Sequence, residues 1–238
     1  VRVHINPQQQ NSPVLIEDSI AFLVNDHLQY VYLQAYGQDV KVLQSANKLL
    51  IFDQLVLTNE KPYVIYDTLV VQGLLSLQKG TTIHMHTGAC IYAYGSVNAT
   101  ATLEEPILIC GDRTDRLFDS VPYRVVSGQW SGLYLIHQEG WKKPTYQFDY
   151  VDIISGTIGL YAVSESKDVR PTLSLQNSRI HNHSTYGLVL QNVDAVVANT
   201  EISNCASYCV YLSGGKHCFV HNTIASYFGY PYTTINIH

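Results

Sequence analysis

Leu175-Gln176-Asn177-Ser178-Arg179-Ile180-His181-Asn182 returns 22 residues later as Val197-Ala198-Asn199-Thr200-Glu201-Ile202-Ser203-Asn204. The same step carries Leu175 and Val197 to Phe219, and Ile180 and Ile202 to Ile224. It also lays Tyr186-Gly187-Leu188-Val189-Leu190 over Tyr208-Cys209-Val210-Tyr211-Leu212. An earlier, looser copy holds Phe148, Ile153 and Ile158-Gly159-Leu160, set 27 or 28 residues before its counterparts, with the excess in the polar stretch Ser164–Asp168. A period near 22 is too short for helical-pair repeats, and the Leu-rich signature of leucine-rich repeats is absent. The spacing fits one coil of a parallel β-helix, with three short strands and three turns per coil.

Stacking such coils places like on like: Leu175 on Val197 on Phe219, and Ile180 on Ile202 on Ile224. Asn177, Asn199, Asn182 and Asn204 then fall at turns, where Asn tolerates a left-handed backbone and can ladder its amide between coils. Residues 171–238 carry only Arg179, Asp194, Glu201 and Lys216 as charged groups. That scarcity suits coils about 4.8 Å apart, which would bring like charges face to face.

Composition agrees. Val, Ile, Thr and Tyr make up about a third of the 238 residues, a bias toward pleated, half-buried strands. Charged residues are 14%, below the roughly 25% of ordinary soluble domains, so uncharged polar side chains must cover much of the surface. The 46% hydrophobic content excludes a disordered chain, and a net charge of −5 argues against a nucleic-acid partner. No uncharged apolar run reaches the roughly 18 residues of a membrane span.

From residue 1 to about 45 the grammar differs. Val1–Ile5, Ser19–Val24 and Gln29–Ala35 read as strands, and Asn6-Pro7-Gln8-Gln9-Gln10-Asn11-Ser12-Pro13 as a polar loop. These suit part of an antiparallel β-sandwich. Both ends read as strand to the terminal residues, so further sequence is expected before Val1 and after His238, where an open last coil would need a cap, another coil or a partner. The five cysteines (Cys90, Cys110, Cys205, Cys209, Cys218) lack zinc spacing and read chiefly as buried thiols, with a disulfide among the last three left open.

Lys61-Pro62-Tyr63-Val64-Ile65-Tyr66-Asp67-Thr68-Leu69-Val70-Val71, Lys79-Gly80-Thr81-Thr82-Ile83, Gly111-Asp112-Arg113 with Asp115, and Gly128-Gln129-Trp130-Ser131-Gly132-Leu133 carry a resemblance. They resemble right-handed parallel β-helix proteins of the pectin-lyase-like class. Within that class the chain is similar to large secreted lipoproteins of gut anaerobes that set an immunoglobulin-like β-sandwich before the β-helix. Ala35-Tyr36-Gly37-Gln38-Asp39 resembles the end of that sandwich. The resemblance spans most of residues 30–215. It implies an all-β chain: the C-terminal part of an immunoglobulin-like sandwich over 1–45, then a right-handed single-stranded parallel β-helix over 46–238, truncated at its C-terminal end. It also implies an extracellular or outer-surface location, with any lipid anchor upstream of Val1.

Candidate sites follow from charge and aromaticity. Gly111–Asp119 packs Asp112, Arg113, Asp115, Arg116 and Asp119 into nine residues. Asp112, Asp115 and Asp119 are the candidates for binding a Ca2+ ion or, with Asp112, Arg113 and Asp115 as catalytic candidates, for acting on an acidic sugar, whose carboxylate Arg113 or Arg116 could grip in bidentate fashion. The plainer reading is a long loop pinned by Asp–Arg pairs, since no Asp-x-Asp-x-Asp calcium loop is present. Asp149 and Asp152 are the carboxylates most suited to acid–base work on a glycoside. Against that, Asp152, Arg179 and Glu201 form a column of alternating charge that cross-strand pairing explains.

His84 and His86, and again His181 and His183, share a spacing that puts each pair on one strand face, outward if Ile83 and Met85 face the core. Neither pair has a third metal ligand nearby, and His217 and His221 stand alone. Trp141 with Tyr146, and Trp130, are candidates to stack on a sugar ring, although Trp130 also suits a lid closing a coil. Tyr227–Tyr232 forms a second aromatic patch. No nucleophile elbow, phosphate loop or nucleotide fingerprint is present.

Function therefore divides. The favoured reading is a non-catalytic surface or secreted protein whose long face binds a polysaccharide or another macromolecule. The alternative is a polysaccharide lyase or glycoside hydrolase on acidic polysaccharide, and the third is a structural spacer. The fold alone does not choose among them.

Overall fold

The structure, a computed structural model, describes residues 14–166, 168–227 and 235–237. It is a right-handed parallel β-helix approached by one antiparallel hairpin. The hairpin joins Val14–Val24 to His27–Gly37 through a turn at Asn25 and Asp26, both with positive φ. Among the described residues it pairs with no other strand. Lys41–Leu43 already pairs in parallel with Tyr63–Ile65, so the helical stack begins a little before residue 46. Val1–Ile5, the polar loop after it and most of the Tyr227–Tyr232 patch lie outside the described residues.

Three strand positions recur in each coil. The first builds an eight-stranded parallel sheet that includes Thr82–Met85, Ile107–Gly111, Val151–Ile154, Arg179–His183, Glu201–Cys205 and Thr223–Ala225. The second stacks Cys90–Ala93, Gly132–His137, Ile158–Ser164, Tyr186–Gln191, Tyr208–Ser213 and Ile235–Ile237. The third stacks Ser96–Thr100, Thr145–Asp149, Thr172–Gln176, Asp194–Ala198 and His217–Val220. Thr68–Leu77 bends through a corner and serves the second and third sheets at once.

The register read from the 22-residue step is the register observed. Phe148 pairs with Leu175, Leu175 with Val197, and Val197 with Phe219. Ile153, Ile180, Ile202 and Ile224 form the matching column in the first sheet. Alternation sends these side chains into one continuous core, in which Leu175, Val197, Ile180 and Ile202 are fully buried.

Corners are set by left-handed residues. Tyr150, Asn177, Asn199 and His221 occupy one column with φ of 55, 49, 50 and 54°, and Ser155, Asn182 and Asn204 another. Asn192 and Gly214 occupy the third. Asn is the L-residue best suited to this region, which is why the corners are legible in the sequence. Inside the second of these bends Gly187 is required. A Cβ there would lie 2.6 Å from the Cys209 carbonyl oxygen and 2.8 Å from Ile202 Cγ2.

Candidate functional site

The outer face of the second sheet carries a column of tyrosines. Register places Tyr92 opposite Tyr134, Tyr134 opposite Tyr161, Tyr161 opposite Val189, and Val189 opposite Tyr211. Tyr92 and Tyr134 stack with centroids 4.8 Å apart, and Tyr134 meets Tyr161 at 5.9 Å. At the far end Tyr186 and Tyr208 stack at 5.9 Å, and Tyr211 lies within 6.3 Å of both. Each ring is half-buried by its neighbours and keeps part of its surface in solvent. Pairs of this kind contribute about 0.5–1.5 kcal/mol each beyond area burial, so the column stiffens itself.

Its polar edge is fixed too. Tyr161 donates its hydroxyl to Gln191 Oε1 at 2.7 Å. Burial raises the phenols of Tyr92 and Tyr161, and pushes Tyr134 up to about 12, so all three remain neutral hydrogen-bonding groups. Trp141 stands at the border of this face, half-exposed, 6.1 Å from the ring of Tyr94. The Trp141 carbonyl oxygen lies 3.2 Å from His137 Nε2, which ties its loop to the sheet.

The other two stacking candidates do not reach this face. Trp130 is 1% exposed, and its indole N–H donates to the Ile154 carbonyl at 2.9 Å; it closes a coil. Tyr146 lies in the core on the strand Thr145–Asp149, alternating inward with Phe148, where no sugar can stack. Sequence reasoning passed over the tyrosine column although its signal was local. Ile91-Tyr92-Ala93, Leu133-Tyr134-Leu135, Leu160-Tyr161-Ala162 and Val210-Tyr211-Leu212 each set an outward Tyr between two inward apolar residues.

The charged cluster folds as a pinned loop over the outer face of the first sheet. Arg113 grips Asp115 through two nitrogens and lies over the Tyr123 ring, 3.5 Å from its centroid. Arg116 donates to the Asp119 carbonyl, and Asp112 meets His86 Nδ1 at 2.6 Å. The Asp112 and Asp115 carboxylates thus have separate engagements, Asp119 is held through its backbone carbonyl, and no group of three or more metal-ligating side chains converges among the described residues. The calcium expectation loses its geometric basis here.

Asp149 accepts from the Asn177 amide at 2.8 Å. Asp152 is held by Arg179 and by His181 Nε2 at 2.9 Å, in the Asp152–Arg179–Glu201 column expected for cross-strand pairing. Burial alone would raise the Asp152 carboxyl, but His181 and Arg179 draw it below the usual carboxylate range. Asp149 and Asp152 are thus each engaged by side chains of the next coil.

The histidines correct the simple alternation argument. His84 does face outward, yet the loop after Gly111 covers it to 8% exposure. His183 follows the left-handed corner at Asn182 and turns fully inward, its Nε2 3.2 Å from the Ile153 carbonyl oxygen. All five cysteines are free; Cys90, Cys110, Cys205 and Cys209 are buried and Cys218 is exposed. No helix among the described residues is long and apolar enough to cross a membrane.

Comparison with known proteins is consistent with this architecture. No curated protein and no solved structure matches the chain. A family model described as a right handed beta helix region matches residues 131–235, the coils in which the 22-residue repeat is clearest.

Proposed function

We propose that this β-helix is a non-catalytic binding protein of the cell surface or extracellular space that holds a glycan along its tyrosine face. The observation that carries the reading is the column Tyr92–Tyr134–Tyr161, continued across Val189 by Tyr211, with a ring in four of five successive coils. Flat aromatic surfaces pack against the C–H faces of pyranose rings, and neutral phenols with a fixed Gln191 offer hydrogen bonds to sugar hydroxyls. A run of rings along the helix axis suits an extended chain better than a monosaccharide. The low charge of the chain favours a neutral or weakly charged polymer.

The reading of a lyase or hydrolase on acidic polysaccharide has weaker support, because Asp149 and Asp152 are each committed to other partners. The test is a glycan array probed with the folded chain and with Tyr134→Leu. Binding to extended glycans that falls about tenfold or more in the variant supports the reading. An array with no specific binding, or binding indifferent to Tyr134→Leu, contradicts it.

A further inference from the structure

Away from the tyrosine face, the loop that follows Gly111 roofs a cavity of about 400 Å³ against the outer side of the first sheet. Its floor includes His84 and Cys110, paired across adjacent strands with His84 Nδ1 3.5 Å from Cys110 Sγ. Its rim includes Arg113, Arg116 and Arg124. We propose that this arginine-rimmed cavity is a binding site for a small organic oxyanion, a carboxylate or a phosphate.

Three observations support the assignment. First, charge is locally inverted in a chain of net charge −5. Arg113 and Asp115 neutralise each other and Asp112 is engaged by His86, which leaves Arg116 and Arg124 without a carboxylate partner among the described residues. Second, His84 is more than nine-tenths buried, yet its Nε2 has no hydrogen-bond partner in the described structure. An unpartnered buried imidazole nitrogen is costly unless something comes to meet it. Third, the volume falls in the range of small-molecule sites and admits a ligand of several heavy atoms.

Cys110 is a wall group in this site. Its thiol is fully buried and burial pushes it up to about 12, so it carries no thiolate and performs no nucleophilic step. The oxyanion would instead accept charge-assisted hydrogen bonds from Arg124 and Arg116, geometry in which guanidinium excels. Arg113, already clamped to Asp115 and laid over Tyr123, holds the roof in place.

Calorimetric titration of the folded chain at low salt with inorganic phosphate, citrate and glycerol tests the site. One of the two oxyanions is expected to bind with a dissociation constant of about a millimolar or tighter, and which one binds separates phosphate from carboxylate. Glycerol should give no heat. Arg124→Gln should weaken binding about tenfold or more, with Arg116→Gln as the second variant should the first fail to fold, whereas Arg170→Gln on another loop should leave it unchanged. The His84 imidazole nitrogen resonances should move on saturation. Absence of binding by either oxyanion, undiminished affinity in a folded Arg124→Gln chain, or an unperturbed His84 ring at saturation overturns the proposal.

Discussion

Asn199 donates its side-chain amide to Oδ1 of Asn177, one coil back, at 3.3 Å. Asn177 in turn donates to Asp149 at 2.8 Å, so one corner of the helix is laced through three successive coils. Both asparagines hold left-handed backbone, with φ of 50 and 49°. Asn199→Ala should therefore lose the ladder and strain the corner, destabilising the chain by about 1–2 kcal/mol. Asn199→Gly keeps the backbone freedom and should cost less. Urea unfolding of the two variants beside the parent chain reads the difference, and equal losses would remove the conformational argument.

The interior column predicts a larger effect. Leu175 is fully buried between Phe148 and Val197 of the neighbouring coils. Leu175→Ala should cost about 2–5 kcal/mol, since stacked coils on both sides resist collapse into the space left behind. The same substitution at exposed Leu103 should change stability by less than about 0.5 kcal/mol.

Acid should loosen the fold in two stages. His183 is fully enclosed, and burial pushes its imidazole down to about 4. In the unfolded chain it titrates near 6.5, so between about pH 6.5 and 4 the unfolded state binds more protons and stability falls as pH falls, by about 3 kcal/mol over the full window. Burial lowers His84 in the same direction. The Asp152 carboxyl, drawn down by His181 and Arg179, contributes stability that is lost only at lower pH, as it protonates. Urea midpoints measured from pH 7 to 4.5 should decline, and His183→Gln should flatten that decline. A parent chain whose midpoint is level across this range would contradict the assignment.

Native alkylation should sort the cysteines by access. Cys218 is exposed and should react with iodoacetamide in the folded chain. Cys90, Cys110, Cys205 and Cys209 should react only on unfolding, including Cys209, whose thiol the neighbouring Cys205 draws downward but whose sulfur is shielded in the core. Mass spectrometry of the labelled peptides reads the order directly.

Much of the C-terminal architecture was legible because identical geometry was demanded of successive coils. Leu175, Val197 and Phe219 had to be apolar, and Asn177 and Asn199 had to tolerate positive φ, so the period was written in two chemistries at once. The earlier coils were harder to read because loops of unequal length, such as the excursion between Ile107–Gly111 and Gly132–His137, break the spacing.

His183 was misread because the corner at Asn182 reverses the alternation that holds along a straight strand. His84 faces outward as alternation requires, and its burial comes from residues far along the chain, which alternation does not report. Tyr146 does not join Trp141 in a stacking surface, because the Trp141 loop ends at Pro144 and alternation with Phe148 then sends Tyr146 inward.

The glycan reading is tested most directly by calorimetry with a glycan selected on the array, titrated into the parent chain and into Tyr92→Leu, Tyr134→Leu, Tyr161→Leu and Tyr211→Leu. Leucine keeps each position apolar but removes the flat ring and the hydroxyl. Each folded variant should bind about tenfold or more weakly, with the central Tyr134 and Tyr161 losing most, and affinity should hold steady from pH 6 to 9 because the phenols stay neutral. Four folded variants that bind as tightly as the parent chain would contradict it.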